Sequence, residues 1–162
     1  MRQISVCAIT VFLLSTCLAQ TADPPPQKEG LWSIHRESSS PGRGKSQSTE
    51  TLCRNHEYDK YILEKSKSAP GCKVTGSSLN NGVYTIEKQC DVNESVVKSK
   101  ETSTYKDDEV VTETHATYNP PLMGMTEITM TMDQKFVGAC PEGTKPGDVT
   151  RPNGKKLNTW PH

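Results

Sequence analysis

Apolar side chains are scarce in this 162-residue chain: 32% of its residues are hydrophobic and 6% aromatic. An ordinary globular domain has roughly 45–50% apolar residues on a slightly wider count. The shortage deepens once the N-terminus is set aside. Of 52 apolar residues, 13 lie at positions 1–19, leaving 39 in the remaining 143, about 27%. So thin a core argues against a large buried catalytic architecture, and the length suits one domain. An excess of either charge is also missing, with 19 basic residues against 19 acidic. A neutral chain lacks the electrostatic footprint for nucleic acid or for an anionic membrane surface. No apolar run beyond residue 19 is long enough to span a bilayer. No two cysteines stand close together and there is no Cys-x-x-Cys, so a redox or metal role for them is weakly supported.

Catalytic signatures are equally absent. Neither Gly-x-Ser-x-Gly nor His-Glu-x-x-His occurs. His35, His56, His115 and His162 are scattered, without a close Asp/Glu partner set or an activated serine. Pro41-Gly42-Arg43-Gly44-Lys45-Ser46 has the look of a phosphate-loop end, but Ser39 stands where the first glycine is needed and strand, not helix, follows. Asn93-Glu94-Ser95 has the form of a glycosylation sequon.

What is present begins with Met1-Arg2-Gln3, a short positive start, followed by an apolar run over residues 4–14. Ser15-Thr16-Cys17-Leu18-Ala19 then supplies small residues suited to cleavage after Ala19. That is the layout of a secretory signal peptide over residues 1–19, and it predicts a periplasmic or secreted protein. An alternative takes Leu14-Ser15-Thr16-Cys17 as a lipobox, which would leave the protein lipid-anchored through Cys17; Thr before the Cys is unusual there. Neither reading leaves a transmembrane span in the mature chain.

Removing Cys7 and Cys17 leaves Cys53, Cys72, Cys90 and Cys140, which in an exported chain imply two disulfides. Two strand-like runs, residues 71–78 and 83–90, flank Leu79-Asn80-Asn81-Gly82, a strong hairpin signal. A loop of Asn80-Asn81-Gly82 sets Leu79 against Val83 and Cys72 opposite Cys90, on the face that carries Val74, Gly76, Tyr84 and Ile86. Opposed Cβ atoms lie near disulfide distance. The pairing is therefore Cys72–Cys90, leaving Cys53–Cys140 to tie an early strand to a late one. The chain-entropy estimate is about 3 kcal/mol for the short loop and somewhat over ~4 kcal/mol for the long one.

Along the chain, residues 20–29 form an extended proline-rich leader stiffened by Pro24, Pro25 and Pro26. A first strand from Gly30 puts Trp32 and Ile34 on one face, and a second ends at Leu52-Cys53. Asn55 caps a short helix, about residues 55–65, on which Tyr58, Tyr61 and Ile62 share a face. Residues 96–105 and 109–118 read as a hairpin of unfixed register around Lys106-Asp107-Asp108, with a loop over residues 119–124. Ile128, Met130, Met132 and Phe136 then mark the clearest strand. Residues 30–140 make a single β-rich domain, and residues 141–162 a loose polar tail. The predicted fold is mainly β: an antiparallel meander sheet of about seven strands, curled or half-barrel-like, with one helix and two disulfides.

Several of these residues carry a resemblance. Gly30-Leu31-Trp32 after a proline-rich leader, a Cys-ended strand before a short helix, and Phe136-Val137-Gly138-Ala139-Cys140-Pro141 running into Lys145-Pro146-Gly147-Asp148 mark the chain. It resembles, from about residue 25 to 149, the exported bacterial family known as domain of unknown function 3617. The resemblance implies a Gram-negative envelope setting and structural cysteines. It carries over no catalytic residues.

The functional reading is a non-enzymatic envelope module, without cofactor, that binds an envelope protein or a small apolar ligand across a curved face. Trp32 and Tyr84 belong to that face, with Ile86, Met130 and Phe136 packed beside them and Met123 and Met125 at the rim. The alternative is soft-metal binding, Cu(I) on the Met-x-Met pair Met123 and Met125, since a thioether is a soft ligand and i and i+2 share a face in a strand. Met130 and Met132 instead continue the core stripe. An enzyme would need two or three titratable groups converging in one cleft.

Overall fold

The computed structural model describes residues 22–160. The predicted signal segment, Cys17 and His162 lie outside the described residues. Nine strands and one helix follow in order: β1 (Gly30–Ser40), β2 (Gly44–Arg54), α1 (His56–Lys67), β3 (Cys72–Asn80), β4 (Val83–Val92), β5 (Ser95–Lys106), β6 (Glu109–Leu122), β7 (Met125–Gly138), β8 (Asp148–Thr150) and β9 (Lys156–Asn158). All strands join one sheet in the order β3-β4-β5-β6-β7-β1-β2-β8-β9. Every pairing is antiparallel. The mainly-β, antiparallel expectation holds: β3 to β7 are a meander, the β1–β2 hairpin is added beside β7, and the sheet does not close.

Alternation sorts the side chains. Trp32, Ile34, Leu52, Tyr84, Ile86, Val110 and Ala116 are buried on the inner face, while the other face is polar and wet. Helix α1 lies on the inner side. Its start is fixed by Asn55, whose side chain accepts a hydrogen bond from the Tyr58 N–H at 2.9 Å. Glu57 and Asp59 in its first turn and Lys65 and Lys67 in its last suit the helix dipole. Tyr58 packs into the cluster of Ile34, Leu52 and Val149, while eight residues on Ser66 accepts a hydrogen bond from Lys88 of β4. Eight residues of helix span about 12 Å. In a flat sheet, five strand spacings between β2 and β4 would span about 24 Å. The sheet therefore curls around the helix.

Both disulfides form as the sequence predicts, Cys72–Cys90 and Cys53–Cys140. The first arises by a different register. The β3–β4 turn has two residues, Asn81 and Gly82, with positive φ of 50° and 76°, so Asn80 pairs Val83 and Leu79 pairs Tyr84. That is the turn whose twist suits a tight hairpin. A bulge between Val74 and Gly76 then restores the offset, and Cys72 meets Cys90. As a result Leu79 and Ser77, not Gly76, lie opposite Tyr84 and Ile86. The β5–β6 hairpin turns at Asp107-Asp108, with Lys106 opposite Glu109.

Two segments differ from expectation. Residues 119–122, expected in a loop, extend β6, and the turn is only Met123-Gly124. The β6–β7 register breaks between Thr117 and Leu122, which spares Pro120 and Pro121 from donating to the ladder. Residues 141–160, expected as part of a polar tail, carry β8 and β9, with β8 paired to β2 at Thr51 and Leu52. Val149 is buried there, and the Trp160 ring stacks on Tyr61 with centroids 6.4 Å apart. Strands of three residues with one apolar side chain each leave no period to detect. Gly147 permits this docking, because a Cβ on it would lie 2.9 Å from the Trp160 Cβ.

Two predictions follow from these attachments. The Asp148 carboxylate accepts from the Asn158 side-chain amide at 2.6 Å and the Lys145 N–H at 2.8 Å, which hold it below the ordinary aspartate range. A lowered pKa contributes stability above the unfolded value that is lost as pH falls through the folded one. Acidification below about pH 4 is thus expected to loosen residues 141–160 first, seen as a Trp160 fluorescence change in Trp32→Phe protein before sheet circular dichroism is lost. The longer disulfide closes a separation of 87 residues against 18 for the shorter. Replacing both Cys53 and Cys140 by Ser should cost about 4–5 kcal/mol in urea unfolding, against about 3 kcal/mol for Cys72 and Cys90.

Candidate functional site

Trp32 is fully buried, with 0% relative exposure, and three groups hold its ring. Its Nε1–H donates to the Lys28 carbonyl at 2.9 Å. The Phe136 ring meets it edge-on with centroids 5.7 Å apart. The Arg54 guanidinium lies 5.4 Å from the ring centroid on a cation–π contact. Gly30 precedes it because a Cβ there would lie 2.3 Å from the Gly138 carbonyl oxygen, at φ 140°. The Gly-Leu-Trp motif is thus a packing motif.

Beside this tryptophan opens a cleft of about 380 Å³, walled by the leader, helix α1 and the inner face of the sheet. The leader contributes Asp23, Pro24, Pro25, Pro26 and Gln27; the helix His56, Asp59, Lys60, Ile62, Leu63 and Glu64; and the sheet Arg54, Tyr105, Val110 and Gln134. Its volume falls near the lower end of the ~300–1,000 Å³ range of small-molecule sites. A larger depression of about 520 Å³ at the opposite end of β1, β2 and β7 is lined by Glu37, Ser38, Ser39, Lys45, Ser46, Gln47, Thr129 and Thr131. Without an apolar side chain, it offers a ligand little beyond what water does.

The polar floor of the cleft is an Arg54–Asp59–Gln134 network. Arg54 Nε donates to Asp59 Oδ1 at 2.8 Å and Nη1 donates to Gln134 Oε1 at 3.1 Å. The Arg54 and Asp59 side chains are only 14% and 19% exposed. Burial holds the Asp59 carboxyl above the ordinary aspartate range although Arg54 pulls the other way. Burial also pushes the Tyr105 hydroxyl up to about 12. The Asp59 Oδ2 and Gln27 Oε1 atoms are both buried with no hydrogen-bond donor. The leader wall is pinned by polar contacts: Lys67 pairs with Asp23, Lys28 with Asp108, His56 Nε2 donates to the Gln27 carbonyl at 2.9 Å, and the His56 N–H donates to Glu29 at 3.1 Å.

The residues singled out in the sequence lie elsewhere. Trp32 and Tyr84 are buried, at 0% and 3% exposure, and line no part of the cleft. Met123 is 76% exposed at the β6–β7 turn with φ 52°, and Met125 opens β7 after it. A turn separates these two, so the shared strand face on which their chelation rested is not formed. Met130 and Met132 lie on the inner face, and Met132 packs against the Ile34 cluster. Among the described residues, no group of three or more His, Cys, Asp or Glu side chains is arranged to hold a metal ion.

The family described as Protein of unknown function (DUF3617) matches residues 27–140. The chain belongs to this family. No curated protein and no solved structure matches it. The span that matches DUF3617 begins at Gln27 in the cleft wall and ends at Cys140, partner of Cys53. It includes Trp32 and the whole Arg54–Asp59–Gln134 network; β8, β9 and Trp160 lie beyond it. No helix among the described residues is long and apolar enough to cross a membrane.

Removing the guanidinium tests the network. Arg54→Met leaves the Asp59 carboxylate buried without its partner, and should cost about 2–3 kcal/mol in urea unfolding at pH 7. The loss is present above the pKa of Asp59 in the folded variant and shrinks as pH falls through it, because the neutral acid needs no cation. Adding Asp59→Asn in the same chain should recover part of the loss at pH 7.

Proposed function

We propose that this DUF3617 protein is an exported, non-enzymatic binding module whose site is the cleft between leader, helix α1 and sheet, and whose ligand is a small, mainly apolar molecule. The observation that carries this reading is the combination of about 380 Å³ of space with Ile62, Leu63, Val110 and three prolines on its walls and one polar network on its floor. That is the composition expected of a ligand site, where apolar area supplies affinity and a few fixed polar groups supply orientation. Export is supported by the signal-like segment at residues 1–19 and by two disulfides, which persist in an oxidising compartment such as the periplasm.

Titratable groups do converge here, since Arg54, His56, Asp59 and Tyr105 share the cleft. Arg54 and Asp59 are engaged with each other and His56 with the leader rather than free for chemistry. No Ser, Thr or Cys lines the cleft as a nucleophile, and a phenol at about 12 is a poor one near neutral pH. Binding therefore explains the arrangement better than catalysis does.

Naphthalene is a suitable apolar probe. Titrated into isotope-labelled protein, it should shift the amide signals of Gln27 and of residues 54–64 at micromolar concentration. Leu63→Trp, which fills the cleft, should abolish those shifts while the unfolding midpoint stays within a few degrees. Shifts confined to the Ser-lined depression of β1 and β2, or none at all, would sink the reading.

A further inference from the structure

The cleft has acceptors left over and a wall that cannot answer them. Asp59 Oδ2 and Gln27 Oε1 are buried without donors, and each such atom is destabilising while it stays unpaired. The facing leader offers Pro24, Pro25 and Pro26, and proline has no backbone N–H to give. Arg54 is already committed through Nε to Asp59, through Nη1 to Gln134 and through its flat face to Trp32. Charge around the cleft is matched as well. Asp23 pairs with Lys67 and Arg54 with Asp59, while Lys60 and Glu64 stand one helical turn apart with opposite sign. With Lys67 counted, the charged side chains around the cleft sum to zero, which favours neither an anionic nor a cationic head.

Resting on the binding reading above, we propose that the ligand is an uncharged apolar molecule carrying a hydroxyl or N–H donor, which it gives to one of the two orphan acceptors, Asp59 Oδ2 or Gln27 Oε1. The apolar body lies along Leu63, Val110 and the prolines, and the donor points to the floor. The leader admits it by yielding at its polar pins, which are exposed and replaceable by water. Complementing buried orphan acceptors is also a strong source of selectivity, because an analogue without the donor leaves them unpaired.

The test compares three probes of one shape, naphthalene, 1-naphthol and 1-naphthoate, by the same amide-shift titration at pH 7. The proposal expects 1-naphthol to bind about tenfold tighter than naphthalene, as one added hydrogen bond of about 1.4 kcal/mol requires, and 1-naphthoate to bind more weakly than either. In the Gln27→Leu or the Asp59→Asn protein, whichever removes the acceptor used, the ratio of naphthol to naphthalene affinity should fall to within about threefold, whatever the variant does to naphthalene affinity itself. Equal binding of naphthalene and naphthol overturns the donor assignment but leaves the cleft as an apolar site. A naphthol preference that survives both variants overturns it too, as does tightest binding of the naphthoate. Failure of all three probes to bind overturns both this inference and the binding reading.

Discussion

Arg54 has a single guanidinium that must satisfy three surfaces at once: the face of Trp32, the carboxylate of Asp59 and the amide of Gln134. Those partners belong to β1, α1 and β7, so the side chain joins the first strand, the helix and the last long strand at one point. The leader is drawn into the same joint because Trp32 donates to the Lys28 carbonyl. A lysine could not substitute, since a compact ammonium cannot present two donor edges and a flat face together. The cleft, the position of the helix over the sheet and the seating of the leader all depend on this arrangement.

Such economy explains how a chain with so few apolar residues holds a nine-stranded sheet. Curling the sheet around one helix lets a short row of inward residues share a small interior, and Tyr58 packs with Ile34, Leu52 and Val149 there. Ser103 and Thr112 complete the buried layer by hydrogen bonding to each other at 2.9 Å. The two disulfides supplement this by restricting the unfolded chain. Polar outer-face pairs such as Lys100 with Glu87 and His115 with Glu127 are exposed, and pairs of that kind contribute little.

Much of the fold was legible in the sequence because its signals are local. Asn55 caps, Asn81-Gly82 turns, and the alternation through Ile128, Met130 and Met132 marks a strand. Even the slipped hairpin gave the correct cystine, since the bulge before Gly76 restored the offset that the two-residue turn introduced. The site was less legible because it is assembled from segments far apart in the chain. A first sequence signal was Gln134, a polar residue at an inward position between Met132 and Phe136, where the stripe should have stayed apolar. Arg54 and Asp59 on either side of the cap carried a second hint, an ion pair spanning strand end and first helical turn. Trp32, read as part of a curved binding face, is buried in the structure, with its ring spent on Arg54 and Phe136.

The place of the β1–β2 hairpin in the strand order carries a consequence for how the protein reaches its native state. β1 pairs with β7, so Trp32 meets Phe136 across the stretch of chain that carries β2 to β6. The meander from β3 to β7 can zip from neighbour to neighbour, but the first hairpin waits on a contact that closes a loop of about 100 residues. A chain that folds from its N-terminus therefore holds the Trp32 ring without its Phe136 partner until β7 arrives.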